Sequence, residues 1–109
     1  MRRSAALIAA ALLALGAAAP QDDVEIVASK GGFRPRQLKL RKGETAKLAL
    51  KTADEEHCFA LDAWRVEKRI APGKTTTVEL TPDRVGEFPF YCCLEPENKA
   101  LQGKLVVVE

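Results

Sequence analysis

The chain has 109 residues with 17 basic side chains, 15 acidic ones and a single histidine, a size that supports one small domain with one core. Its excess of positive charge comes from Arg2 and Arg3, since without these two the balance is 15 against 15. A neutral domain with no basic cluster interleaved with aromatics argues against binding to DNA, RNA or an anionic membrane, so no nucleic-acid partner is expected.

In chain order, Met1-Arg2-Arg3 is a basic start, Ala5 to Leu15 is an apolar run short for a bilayer span, and Gly16 to Ala19 offers small residues for a signal peptidase. This pattern predicts a secretory leader over residues 1–20, with cleavage after Ala18 or Ala19, and a periplasmic or secreted protein. The domain then occupies residues 21–109. An uncleaved leader is the one expected route to a membrane, and a lipid-modified cysteine is not expected because no cysteine precedes Cys58.

Beyond the leader the periodicity is that of strands. Val24, Ile26 and Ala28 alternate with polar residues, as do Leu38 and Leu40, then Ala46, Leu48 and Leu50, then Val78 and Leu80. Turn chemistry separates these runs at Lys30-Gly31-Gly32, Lys42-Gly43, Ala53-Asp54-Glu55, Pro72-Gly73, Pro82-Asp83 and Glu95-Pro96-Glu97-Asn98. Seven or eight strands at this spacing predict an all-β fold, an antiparallel β-sandwich or barrel. Leu105 to Val108 reads as a last strand buried in the sheet, and Phe33 and Trp64 as core rings. The acidic stretch Asp54-Glu55-Glu56 reads as a solvated turn.

The residues with chemistry gather at two places. His57 lies in EEHCF beside Cys58, and GEFPFYCC ends in the adjacent pair Cys92 and Cys93. Neighbours on a strand point to opposite faces, so His57 is separated from Cys58, and Cys92 from Cys93 unless the chain turns between them. A catalytic Cys-His pair is not expected, since no third orienting group or oxyanion loop is recognisable; nor is there a phosphate-cradling glycine loop or a dinucleotide fingerprint.

The segments GGFRPRQLKLRKGETAKLAL, EEHCFAL, RIAPGKTTTVELTPDRVGEFPFYC and LQGKLVVVE, in this order, resemble the cupredoxin-like family, in particular its small exported domains related to plastocyanin and to the copper domain of cytochrome oxidase subunit II. The resemblance runs from about Phe33 to Glu109. It implies a Greek-key β-sandwich with a metal held between loops at one end. It also places the family's first histidine ligand on His57, with Phe59 completing the motif, and its ligand cysteine on Cys92. Where the family has a second histidine and an axial methionine, this chain has Glu95 or Glu97 and Leu101.

A blue-copper centre needs one thiolate and two imidazoles in a trigonal plane, which one histidine cannot supply. The binuclear alternative needs two cysteines with three residues between them, and Cys92 and Cys93 are adjacent. The resemblance therefore leaves three readings. Copper binds in an altered site through His57 and Cys92, with a third donor from Cys58, Cys93, Glu95 or Glu97. Thiolate with imidazole suits Cu(I) or Zn(II), whereas an added carboxylate gives a harder, non-blue Cu(II) site. Alternatively the cysteines are structural, with Cys58 bridged to Cys92 or Cys93, which the family fold brings near, and one thiol left over. In the third reading the metal is lost and the domain is an interaction module that docks to a periplasmic or membrane redox protein. The expectation adopted is one copper ion at an atypical site, for electron transfer or copper handling, with the metal-free, disulfide-stapled module as the alternative.

Overall fold

The computed structural model describes residues 20–109; the expected leader lies outside them except for Pro20. Period-two alternation becomes nine strands among the described residues: β1 (Val24–Ser29), β2 (Gly32–Arg34), β3 (Gln37–Arg41), β4 (Ala46–Thr52), β5 (His57–Leu61), β6 (Val66–Ile70), β7 (Thr76–Leu80), β8 (Gly86–Tyr91) and β9 (Gln102–Val108). Short 3-10 turns follow β5 at Asp62–Trp64 and precede β9 at Lys99–Leu101. Gly43 and Gly73 take φ of 83° and 78° in two of the turns named from sequence, a region open to glycine at little steric cost.

The strands form two sheets, one ordered β2-β1-β4-β7 and the other β3-β9-β8-β5-β6, and the expected β-sandwich is what they build. Pairing departs from the antiparallel expectation at two places. β1 runs parallel to β4 and β3 runs parallel to β9, because the chain changes sheet before and after β3 and returns to its first sheet in the original direction.

Inward residues of both sheets make one core. Ile26, Ala28, Leu48, Leu50 and Leu80 come from the first sheet, and Leu38, Leu40, Phe59, Phe90, Leu105 and Val107 from the second. Phe33 crosses between them: its ring centroid lies 6.0 Å from Phe59 and 5.3 Å from Phe90, which are themselves 5.1 Å apart. Edge-on aromatic packing of this kind adds to the burial of large rings.

Trp64 packs against that core from its rim rather than lying inside it. It is half-buried just beyond the end of β5, packed edge-on to Phe88 at 4.7 Å with the Arg84 guanidinium 4.6 Å over its ring. Its indole N–H requires a partner and donates to Asp83 Oδ1 at 3.0 Å, which keeps the ring at the rim.

The two ends of the sandwich differ. At one end the close of β1 and β4 meets the start of β5, the close of β8 and the start of β9. At the other end Gln21 is held by its side chain, with Nε2 donating to Glu44 O at 2.7 Å and Oε1 accepting from Arg41 N at 2.9 Å. There too, Lys42 N donates to Val108 O at 2.8 Å, close to the last residue, Glu109. No helix among the described residues is long and apolar enough to cross a membrane.

Candidate metal centre

The centre is built where β5 opens and β8 closes. His57 is the first residue of β5 and pairs with Ile70 of β6 on one side. Cys92 follows β8, and its N–H donates to Leu101 O at 3.1 Å, which draws the chain leaving β8 against the turn that enters β9. Both side chains are fully buried. In the β5–β8 register Ala60 faces Tyr91, so continuing it sets Phe59 against Cys92 and Cys58 against Cys93. His57, Phe59 and Cys92 therefore share the inner face, and Cys58 and Cys93 share the outer one.

That division separates the cysteines by role. Cys58 and Cys93 form a disulfide with their Cα atoms 5.1 Å apart, and Cys92 is the free cysteine. A turn closed by Glu95 N donating to Cys92 O at 3.0 Å folds Glu95 back over the site. Its carboxylate is steadied by Asn98, whose Nδ2 donates to Glu95 Oε1 at 3.0 Å. A ring nitrogen of His57, Cys92 Sγ and a Glu95 carboxylate oxygen consequently lie within 4.8 Å of one another.

Three donors about 2.0–2.3 Å from one ion would stand roughly 3.4–4 Å apart, so closing on a metal asks for a shift of about 1 Å, available to exposed Glu95 on its loop. Of the other expected donors, Cys58 and Cys93 are taken up by their disulfide and Glu97 is exposed outside the cluster. Leu101, at the family's axial position, is buried in the core and brings no donor atom.

The histidine carries the most informative detail. Its Nε2 lies 2.8 Å from Asp54 Oδ1, while Nδ1 is buried without a hydrogen-bond partner among the described residues. Asp54 is held as an acceptor from several sides, Oδ2 taking the Lys30 N–H at 2.8 Å and Oδ1 the Glu55 N–H at 2.6 Å. The Lys30 amide above all, then those of Glu55 and the His57 ring, depress the Asp54 carboxyl to about 2 against the opposition of partial burial. An ionised Asp54 accepts only, so in the neutral ring the proton sits on Nε2 and Nδ1 presents a lone pair. A buried polar atom left unpaired costs about 1–3 kcal/mol, and a metal ion would satisfy it.

Asp54 was not among the residues singled out from sequence, where Asp54-Glu55-Glu56 read as a solvated turn. All three residues are indeed exposed, but the Asp54 carboxylate also reaches the histidine three residues later. An aspartate three residues ahead of a ligand-position histidine is the signal that could have found it, since a ligand histidine usually gives its second N–H to a carboxylate or carbonyl. Asp54→Ala is therefore expected to lower metal affinity about 10- to 100-fold, with Asp54→Asn recovering most of it, as a competing chelator would read. In the metal-free protein the depressed Asp54 carboxyl adds stability that is complete above about pH 4 and lost as pH falls through about 2. Asp54→Asn should flatten that acid limb in unfolding curves.

The family model for a cupredoxin-like domain matches residues 3–107. The chain belongs to the cupredoxin-like family. Among curated relatives of this cupredoxin-like chain, cytochrome c oxidase subunit 2 of Thermus thermophilus is 27% identical over 93 residues, covering 82% of the chain and 67% of the relative. The chain spans from 11% to 67% of the length of the curated relatives it matches. Among solved structures, the periplasmic domain of subunit II of cytochrome oxidase from Bradyrhizobium japonicum superposes with a TM-score of 0.70 at 17% identity, covering 80% of this chain and 83% of that one. The metal-binding domain of the Cu(I)-exporting P-type ATPase of Streptococcus pneumoniae D39, solved with Cu(I), gives a TM-score of 0.70 at 23% identity and covers 80% and 85%. At these identities the superpositions speak for the fold, a cupredoxin-like β-sandwich.

Proposed function

We propose that this cupredoxin-like protein is exported and binds one copper ion through His57 Nδ1, Cys92 Sγ and a Glu95 carboxylate oxygen, for electron transfer or copper handling. The observation that carries the reading is the buried, unpartnered Nδ1 of a histidine that shares a 4.8 Å cluster with a buried free cysteine and a carboxylate. A solved neighbour binds Cu(I) on the same fold, and the leader pattern and the periplasmic neighbour favour export. Copper would supply a one-electron couple; the chain supplies one soft and two harder donors and a histidine whose tautomer Asp54 fixes. Its partner on this reading is an exported or membrane redox protein, with no catalysis by the domain itself. Of the four expected third donors the proposed site keeps Glu95, and Glu97, Cys58 and Cys93 have no part in it.

The Cys58–Cys93 disulfide favours the structural-cysteine half of the alternative reading, but it lies on the outer face and leaves Cys92 to the inner one. The two readings thus part only over the metal. Protein purified and titrated with copper is expected to take up one ion per chain, to show one thiol under denaturing, non-reducing conditions, and to lack the intense blue thiolate band of a two-histidine centre. No copper uptake, or Cys92 found in a disulfide, would leave the metal-free interaction module standing.

A further inference from the structure

The strands that carry the two buried donors are poorly tied to each other. β5 pairs with β6 over five residues and β8 with β9 over six, whereas β5 and β8 share the single pair Ala60 and Tyr91. Toward the site the ladder stops there, before Cys92 on one strand and three residues short of His57 on the other. At this end, on the register step that sets Cys58 against Cys93, the cross-strand link is the disulfide. Each half-cystine is the chain neighbour of a donor, Cys58 of His57 and Cys93 of Cys92, so the bond fixes the spacing of the two donors from the opposite face of the sheet.

We propose that the Cys58–Cys93 cystine is the positioning element of the metal centre, and that the centre holds its ion tightly only while this bond is formed. The inference rests on the reading of His57, Cys92 and Glu95 as metal donors. It makes the centre sensitive to exported dithiols. Cys58 is 2% exposed, whereas Cys93 is half-buried, so Cys93 is the half-cystine an incoming thiolate would reach. A dithiol thiolate forms a mixed disulfide with Cys93 as the Cys93–Cys58 bond breaks and Cys58 leaves and takes up a proton. The second thiol of the reductant then displaces Cys93, which is protonated in turn, and the reductant departs as its own disulfide with two electrons transferred in all. Cys92, buried on the other face, is not touched by this exchange.

The test compares the oxidised protein with Cys58→Ala/Cys93→Ala and Cys58→Val/Cys93→Val double variants, the second of which keeps an apolar cross-strand contact without the bond. Cu(I) generated with ascorbate is partitioned against a chromophoric chelator, and the alkylation rate of Cys92 is measured in metal-free protein. Trp64 emission, from the opposite end of the sandwich, reports whether each variant is folded. With native Trp64 emission, both variants are expected to bind Cu(I) at least about tenfold more weakly and to alkylate Cys92 at least about tenfold faster. Values within twofold of the oxidised protein in either folded variant would overturn the proposal. So would loss of native Trp64 emission in both variants, which would make the bond a staple of the whole fold. If the parent protein takes up no Cu(I), the proposed function fails, and the Cys92 alkylation rate alone decides whether the cystine positions this end of the sheet.

Discussion

Cys92→Ser is expected to weaken copper binding by at least roughly a thousandfold, about 4 kcal/mol, in competition against a chelator of known affinity. Cys92 offers the one soft donor of the cluster, and a serine hydroxyl at that place is neither soft nor ionised at neutral pH. His57→Ala should act as strongly, because it removes the imidazole and also strands the Asp54 carboxylate that now accepts from it. Glu95→Gln should cost far less, about tenfold, since Glu95 is exposed on a loop and water can replace its oxygen. This ordering separates a built centre from casual copper uptake by surface carboxylates, which would respond to Glu95 as much as to Cys92. Because Cys92 is fully buried, the serine variant also buries a hydroxyl at a cost of about 1–3 kcal/mol. Its unfolding midpoint should be measured alongside, and affinities compared where both proteins are folded.

The second large effect is on the fold. Phe59→Ala should destabilise the domain by about 3–5 kcal/mol in urea unfolding, a large share of the roughly 5–15 kcal/mol typical of a small domain. Phe59 is fully buried and touches Phe33 of one sheet and Phe90 of the other, so its loss opens a cavity at the join of the two layers. It also lies between His57 and Leu61 on the inner face of β5, opposite Cys92 in the extended register. The same change should therefore loosen copper binding, whereas a comparably buried residue at the other end, such as Leu80, should lower stability with little effect on the centre. A Phe59→Ala protein with unaltered unfolding would contradict the packing described.

The elements that were legible in the sequence are those whose two faces meet different surroundings. β1, β3, β4 and β7 alternate buried and exposed residues, and the apolar period of two marks each of them. β6 escaped because Glu67, Lys68 and Arg69 are all exposed on an edge strand, where no period is imposed. β2 is three residues long and carries too little pattern to register. The parallel pairings of β1 with β4 and β3 with β9 were not legible either, since a strand's own residues report which face is buried but not the direction of its neighbour.

The centre was legible in a similar, partial way. His57 and Cys92 stood out by residue type and by resemblance, and strand alternation already separated each from its cysteine neighbour. What alternation cannot give is register, and register is what sets Cys58 against Cys93 and leaves Cys92 free. The choice between Glu95 and Glu97 depended on a turn closed at Cys92 and on the amide of Asn98, local geometry that residue type alone does not announce. Asp54 was hidden by its company, an acidic turn whose three residues are all exposed and of which one carboxylate meets the histidine.

Gln21 is clamped to Arg41 and Glu44, and Val108 is bonded to Lys42, at the end of the sandwich away from His57 and Cys92. The seven residues of β4 alone separate the two ends by roughly 20 Å. Chain continuing from either terminus therefore departs from the far pole, and the domain stands as a mast with its candidate metal centre at the tip. Tethered to an electrode through residue 109, it would present that tip to the solution rather than to the surface that holds it.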